Sequence, residues 1–203
     1  MNQTELNKTL EIIRKIERDG KSPPKSVNEI PELEEHYLGF EDILERINDR
    51  VLELSIPNFK LFGVYDFVVP KTEKKMSRII LFSPYLVAIL ISTYGISIEN
   101  YWFLTTFAAA FLAPILSSIL TGIIPNLILV GLCGYFFYSD KLTLGFVCLT
   151  TLISTICTSY LKKHRRNSLI NIAKSNEEIF TFLFHNRTIA IHDKGIEGML
   201  YSK

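Results

Sequence analysis

Apolar and polar positions alternate along most of this chain but not in its middle. From Ile79 to Leu161 only Glu99, Asp140 and Lys141 carry charge, while the flanking segments hold the other 40 of 43 acidic and basic residues. A water-facing helix needs a polar face, and a charge at mid-bilayer costs roughly 2.5–3.5 kcal/mol. The pattern therefore predicts an integral membrane region. Breaks at "GISIEN" (Gly95–Asn100), "TGIIPN" (Thr121–Asn126) and Ser139–Lys141 divide it into spans Ile79–Tyr94, Trp102–Thr121, Ile124–Tyr138 and Leu142–Leu161. Read as one helix, Tyr101–Tyr138 would run ~57 Å against a ~30 Å hydrocarbon core, so two helices joined at Gly122–Pro125 are expected. The fold class is an all-α membrane protein, a four-span bundle with N-terminal amphipathic helices and a small β element. Two long or re-entrant hairpin units are the alternative.

The flanks carry their own periodicities. Leu6, Leu10, Ile13 and Ile16 mark an amphipathic helix ending at Gly20, followed by a stiff linker, "KSPPKS". Leu33, Tyr37, Phe40, Leu44, Ile47, Val51 and Leu54 follow a 4-3-4-3-4-3 spacing between Pro31 and Pro57. That is either a self-associating coiled-coil seam or one face of a helix packed on a small domain. Phe59–Val69 reads as a strand, and so do Thr188–Ile191 and Ile196–Tyr201 around a turn at Asp193–Gly195. Pairing of Phe59–Val69 with that hairpin would give one small sheet. Arg165–Phe184 is expected to prolong the fourth span as a helix. Its apolar end, Ile179, Phe180, Phe182, Leu183 and Phe184, needs a partner or a membrane surface to cover it. These readings divide the chain at 1–58, 59–78, 79–161 and 162–203.

Charge sets the topology. Lys71, Lys74, Lys75 and Arg78 precede the first span; Lys162, Lys163, Arg165 and Arg166 follow the last. Both clusters stay cytoplasmic under the positive-inside rule, which requires an even number of spans and places Glu99 and Asp140 outside. Tyr94, Tyr101, Trp102 and Tyr135–Tyr138 gather at the expected external ends. So close to a bilayer, "SYLKKHRR" suits anionic lipid headgroups, at about 1 kcal/mol per basic residue, rather than nucleic acid. The overall net charge of +1 carries no nucleic-acid signature either. The polar N-terminus, "MNQTELNKTLEIIRK", lacks the pattern of a cleavable signal peptide.

Within the spans, Ala109, Ala113, Ser117 and Thr121 recur every four positions, and Thr151, Ser154, Thr155 and Thr158 supply hydroxyls. Such faces serve packing inside one bundle, a subunit interface, or a hydroxyl-lined oligomeric pore. Asn126 is assigned to capping the internal turn. Cys133, Cys148 and Cys157 read as small buried hydrophobes. No nucleophile elbow, phosphate loop, HExxH or paired CxxC occurs. His185, His192 and Asp193 lack a convincing metal-ligand spacing, and no cofactor is expected.

After the basic cluster, the order of a helix carrying Glu177–Glu178 and then "HNRTIAIHDKGIEGML" resembles the C-terminal part of YcxB-like bacterial membrane proteins. The residues that carry the resemblance are Ile189, Ile191, Asp193, Gly195 and Ile196, over about 40 positions. The chain departs from that pattern in having four expected spans rather than two and a longer N-terminal region. The resemblance implies a membrane-anchored β module of poorly defined activity; the expected location is a bacterial inner membrane, with both termini cytoplasmic by the charge bias. The expected function is non-enzymatic: the termini recognise or organise a protein partner at the membrane, as a homo-oligomer. A pore-forming effector is the alternative.

Overall fold

A computed structural model describes residues 3–15, 23–57, 65–119, 123–194 and 199–200. The chain divides into two compact units: Met1–Lys74 together with His164–Lys203, and Lys75–Lys163.

The first unit is built from both ends of the chain. Its N-terminal part holds α1 (Gln3–Lys15), a 3₁₀ turn (Val27–Glu29), α2 (Pro31–Glu34), α3 (Phe40–Asn48), β1 (Leu52–Ser55) and α4 (Tyr65–Val68). Its C-terminal part holds the end of α8 (Leu142–Ser175), then α9 (Glu177–His185), β2 (Ala190–Asp193) and β3 (Met199–Leu200). The sheet order is β1-β2-β3, antiparallel throughout, with Leu52 opposite Asp193 and Leu54 opposite Ile191. Ile13, Leu33, Ile43, Leu52 and Leu54 share one core with Leu169, Ile179, Leu183, Ile189 and Ile191. Every residue of α9 from Ile179 to Phe184 is buried, as befits a helix apolar on all sides. The cluster expected to need a partner or a membrane surface is thus covered by its own chain.

The heptad reading requires correction. Gly39, at φ 151°, starts α3 in a conformation open only to glycine, and α3 stops at Asn48. Leu33 therefore sits in α2, Tyr37 in a turn, Phe40, Leu44 and Ile47 in α3, Val51 in a connection and Leu54 in β1. Leu33, Tyr37 and Leu54 are buried within their own unit, so no continuous self-association seam exists. Leu52-Glu53-Leu54-Ser55 alternates buried and outward residues with the two-residue period of a strand. Two of the seven seam positions, Val51 and Leu54, thus fit the heptad only by coincidence. Among the described residues the strand that meets the C-terminal hairpin is this segment, and the Tyr65–Val69 part of the expected Phe59–Val69 strand forms no strand. Tyr65–Val68 is helical, and 58–64 lie outside the described residues. Gly20, Gly122, Gly195 and Ile196 also lie outside them.

One device ends four helices. Arg50, Glu99, Asp140 and Arg187 all take φ of 54–60°. In each case the next residue donates its N–H back to a carbonyl five positions earlier: Val51 to Arg46 (3.0 Å), Asn100 to Gly95 (2.8 Å), Lys141 to Phe136 (2.9 Å) and Thr188 to Leu183 (2.8 Å). These are Schellman caps closed by charged residues where glycine is usual.

The second unit contains most of α5 (Lys71–Ser97), a 3₁₀ turn (Tyr101–Leu104), α6 (Thr105–Ile119), α7 (Ile123–Tyr138) and the first part of α8. Helix α8 is the shared partner. Cys157 Sγ lies 3.3 Å from Ser83 Oγ of α5, and Ser154 Oγ donates to Ala110 O of α6 (3.3 Å). Thr155 Oγ1 donates to Asn126 Oδ1 of α7 (3.1 Å). Asn126 thus bridges two helices from a position three residues inside α7. Thr151 and Thr158 return their hydroxyls to their own helix. On α6 the buried face is Thr106, Ala110 and Ala113, with Ala109 only half-buried. A strict four-residue spacing drifts by about 40° per step around a helix, so Ala109 and Ala113 do not share the same degree of burial. Ser117 lies in α6, and Thr121 lies outside the described residues.

Two helices, α5 (27 residues) and α8 (34 residues), are long and apolar enough to cross a membrane. Helices α6 and α7 are apolar but shorter, at 15 and 16 residues. The outer faces of this unit are apolar and uncovered: Leu90 is 70% exposed, Trp102 74% and Tyr138 91%.

Gly95 is the most closely approached of the described glycines in the second unit. A Cβ there would lie 2.3 Å from Phe103 Cβ, whereas a Cβ at Gly131 would meet nothing. Gly95→Ala is expected to destabilise the detergent-solubilised protein by about 1–3 kcal/mol through overpacking. Gly131→Ala should leave the melting temperature unchanged or raise it. Thermal melts of both variants beside the wild type make the comparison.

Candidate functional site

Chemistry-bearing side chains concentrate in the first unit. Among the ties between its two chain segments, three gather at α9. Arg14 of α1 grips Glu178 of α9 with two parallel bonds, Nε to Oε1 (2.7 Å) and Nη2 to Oε2 (2.8 Å). Glu177 Oε1 accepts from Ser26 Oγ (2.7 Å) and the Val27 N–H (2.8 Å). Thr181 Oγ1 donates to Pro24 O (2.7 Å). The Glu177–Glu178 pair is positioned for these ties by Asn176, which breaks the chain between α8 and α9 and caps α9 through Ile179 N–H.

The eight basic residues assigned to lipid headgroups have unequal surroundings. Lys71, Lys75 and Arg78 on the first turns of α5, and Lys163 on α8, are exposed. Lys74, Lys162 and Arg166 are half-buried. Arg165 differs: it is 6% exposed, its guanidinium lies 4.9 Å from the centre of the Tyr65 ring, and burial pulls its pKa below the ordinary arginine range against the attraction of Asp66. Its charge is held inside the unit by a cation–π contact. Beside it, Glu73 Oε2 stands 3.1 Å from His164 Nε2 and accepts from Ser168 Oγ at 3.1 Å, which fixes the first turn of α5 to α8.

A second polar cluster surrounds Asp193, which is 1% exposed. Its Oδ2 accepts from Tyr37 Oη (3.2 Å) and lies 3.5 Å from Arg46 Nη1. Arg46 also binds Asp42 Oδ1 (2.9 Å) and lies over the Tyr37 ring. The Asp193 that carries the resemblance is thus a buried structural carboxylate at the end of β2, with Ile189 and Ile191 in the core beside it.

Next to this cluster, Ile47, Arg50, Leu52, Glu53, Leu54, Ile170, Lys174 and Lys194 line an open cleft of about 350 Å³. Lys194 Nζ donates to Arg50 O (2.8 Å). Among the described residues, Arg50 and Lys174 have no carboxylate within ion-pair distance. Three cations face one carboxylate there. Nothing in the sequence announces this cleft, because its cations come from segments more than 100 residues apart. Among the described residues no group of three histidine, cysteine or acidic side chains is placed to hold a metal ion. His185 ends α9 and His192 lies in β2.

Burial, reinforced by the Asp193 carboxylate, pushes the Tyr37 phenol well above its ordinary value. Below about pH 10 the phenol is protonated in both folded and unfolded chains, and its stabilisation is complete. As pH rises further only the unfolded chain ionises, so stability falls. Wild-type stability is expected to drop above about pH 10 more steeply than that of Tyr37→Phe. At neutral pH that variant should be weaker by about 1–3 kcal/mol, since Asp193 loses a donor in a buried site. Denaturation profiles between pH 7 and 11 test both. No family model, curated protein or solved structure matches the chain.

Proposed function

We propose that the protein is a membrane-anchored recognition module without chemistry of its own. In this reading the helices of the second unit lie in the bilayer, and the domain built from both chain ends binds a partner on the cytoplasmic face. The observation that carries the reading is the shared core: Leu52 and Leu54 pack with Ile189 and Ile191, and β1 pairs with β2. Both ends of the chain must then lie on one side, and the number of crossings is even.

Several features support membrane insertion. Soluble monomers rarely expose apolar patches beyond a few hundred Å², yet α5, α6 and α7 expose Leu86, Leu90, Phe111, Ile124 and Leu127. The α5 and α7 end-turns line one cleft with Ile98, Asn100, Asp140 and Lys141, so they share one end of the second unit. That is what four alternating spans require. At ~22–24 Å, α6 and α7 are short for a ~30 Å core, a mismatch met by local thinning. Lys71, Lys75, Arg78 and Lys163 would then meet anionic headgroups. The resemblance to YcxB-like proteins, which implies a membrane-anchored β module, agrees with this layout. An assembly of several copies would use faces other than the heptad positions, since Leu33, Tyr37 and Leu54 are buried within one chain. The pore reading has less support, because Ser154 and Thr155 bond to other helices of the same bundle.

Single cysteines at Glu99, Asp140, Ile124 and Leu38, in a background lacking the three native cysteines, test the topology. An impermeant maleimide applied outside intact cells should label Glu99→Cys and Asp140→Cys only. Applied to inverted vesicles, it should label Leu38→Cys and, for four spans, Ile124→Cys. Labelling of position 99 or 140 from the cytoplasmic side would overturn the reading.

A further inference from the structure

Two end-turns of the second unit meet at one recess. Asn100 closes the cap that ends α5, and Asp140 and Lys141 stand between α7 and α8. With Ile98, Leu142 and Leu144 they line an open cleft of about 340 Å³. All six belong to the second unit, and the chain on either side of both turns is described. Asp140 and Lys141 carry opposite charges but do not pair with each other. Among the described residues neither side chain has an ion-pair partner. Asn100 Oδ1 accepts from the Trp102 N–H (3.3 Å), which fixes the amide and leaves Nδ2 as a donor. Ile98, Leu142 and Leu144 expose apolar surface beside these groups. Tyr101 and Trp102 on the α5 turn are exposed as well, and such rings favour the headgroup level of a bilayer.

We propose that this cleft binds the headgroup of a zwitterionic phospholipid of the phosphoethanolamine class, with its ammonium on Asp140, its phosphate on Lys141 and Asn100, and its acyl chains over Ile98, Leu142 and Leu144. The occupant follows from the charges. An anionic headgroup would meet Lys141 but also the Asp140 carboxylate, and a simple cation would meet Asp140 but also Lys141. A head that carries both signs matches both groups through charge-assisted hydrogen bonds. The apolar side chains favour a lipid over a water-soluble compound with the same head. A second copy fits poorly, because a recess does not fill the same recess on its copy. The inference rests on the reading that the second unit lies in the bilayer, and it names the lipid held at one end of that unit.

The full-length protein in detergent is titrated with phosphatidylethanolamine that carries a fluorophore on one acyl chain, and unlabelled lipids of identical chains compete. Phosphatidylethanolamine should compete about tenfold more strongly than phosphatidylglycerol. Asp140→Asn and Lys141→Gln should each lower the affinity about fivefold, and Asp140→Lys should turn the preference towards phosphatidylglycerol. Melting temperatures in the same detergent show that each fold persists; if one variant melts early, the other carries the test. Equal competition by the two lipids, or indifference to both neutral substitutions, would overturn the proposal. Displacement by millimolar phosphoethanolamine at constant ionic strength would replace the lipid with a soluble ligand. A change of oligomeric state in the variants without a change in lipid preference would make the cleft a contact between copies. Phase separation in a cloud-point detergent keeps the two readings apart. Protein that enters the detergent-rich phase but lacks the preference loses the headgroup site and keeps the bilayer reading. Protein that stays in the aqueous phase loses both.

Discussion

The pairing of Leu52–Ser55 with Ala190–Asp193 is the constraint on which the rest of the architecture depends. It joins strands separated by about 135 residues of chain, and a loop that long is costly to close. The cost falls because α5 and α8 also meet, through Glu73, His164 and Ser168. Once that contact exists, only about 40 residues remain to be closed around the sheet, which lowers the entropy cost by about 1 kcal/mol. The Glu73–His164 contact, the Ser168 bond and the ladder are therefore coupled. Loosening Glu73 would reach the sheet although no atom of it touches a strand.

The same unit carries charges where a core would ordinarily exclude them. Asp193 and Arg165 are both nearly inaccessible, and an unpaired charge in such a place is strongly unfavourable. Each is met by an aromatic residue from the other chain segment: Tyr37 donates a hydrogen bond to Asp193, and Tyr65 offers its ring face to Arg165. A buried charged group with its partner on a distant segment penalises every wrong register of the two segments. Apolar packing alone would tolerate a slipped strand more readily, since β1 offers only Leu52 and Leu54 to the core.

Legibility in the sequence followed the physical range of each signal. Apolar runs show in composition alone: α5, α7 and α8 begin or end within a few residues of charge or proline boundaries. Glu99 and Asp140 were visible as interruptions, and both close Schellman caps. The seven-position seam misled because spacing reports a repeat without reporting continuity, and the helix it implies is broken between Glu34 and Phe40 and again after Asn48. Leu52–Ser55 was hidden because a four-residue strand supplies only two inward positions, too few to distinguish period two from a helical period. The β2 signal at Ile189 and Ile191 was stronger since the turn at Asp193 marked its end. The cleft was illegible for another reason: Arg50, Lys174 and Lys194 become neighbours only after the β1–β2 register is set.

Polar groups in the two units are deployed in opposite ways. In the helical unit the hydroxyls of Thr151, Ser154, Thr155 and Thr158 all bond within the bundle, and the outward surface is left to Leu, Ile, Phe and aromatic residues. A surface of that kind distinguishes lipid from water and little else. In the two-ended domain, Arg14, Glu177, Glu178 and Thr181 bind one segment to the other, while Arg50 and Lys174 line a cleft beside β1. Directional groups left over after folding are the ones that can discriminate among ligands, because their hydrogen bonds and charges must be matched one by one. By that criterion the capacity to discriminate belongs to the polar groups of the two-ended domain rather than to the apolar outer faces of the helical unit.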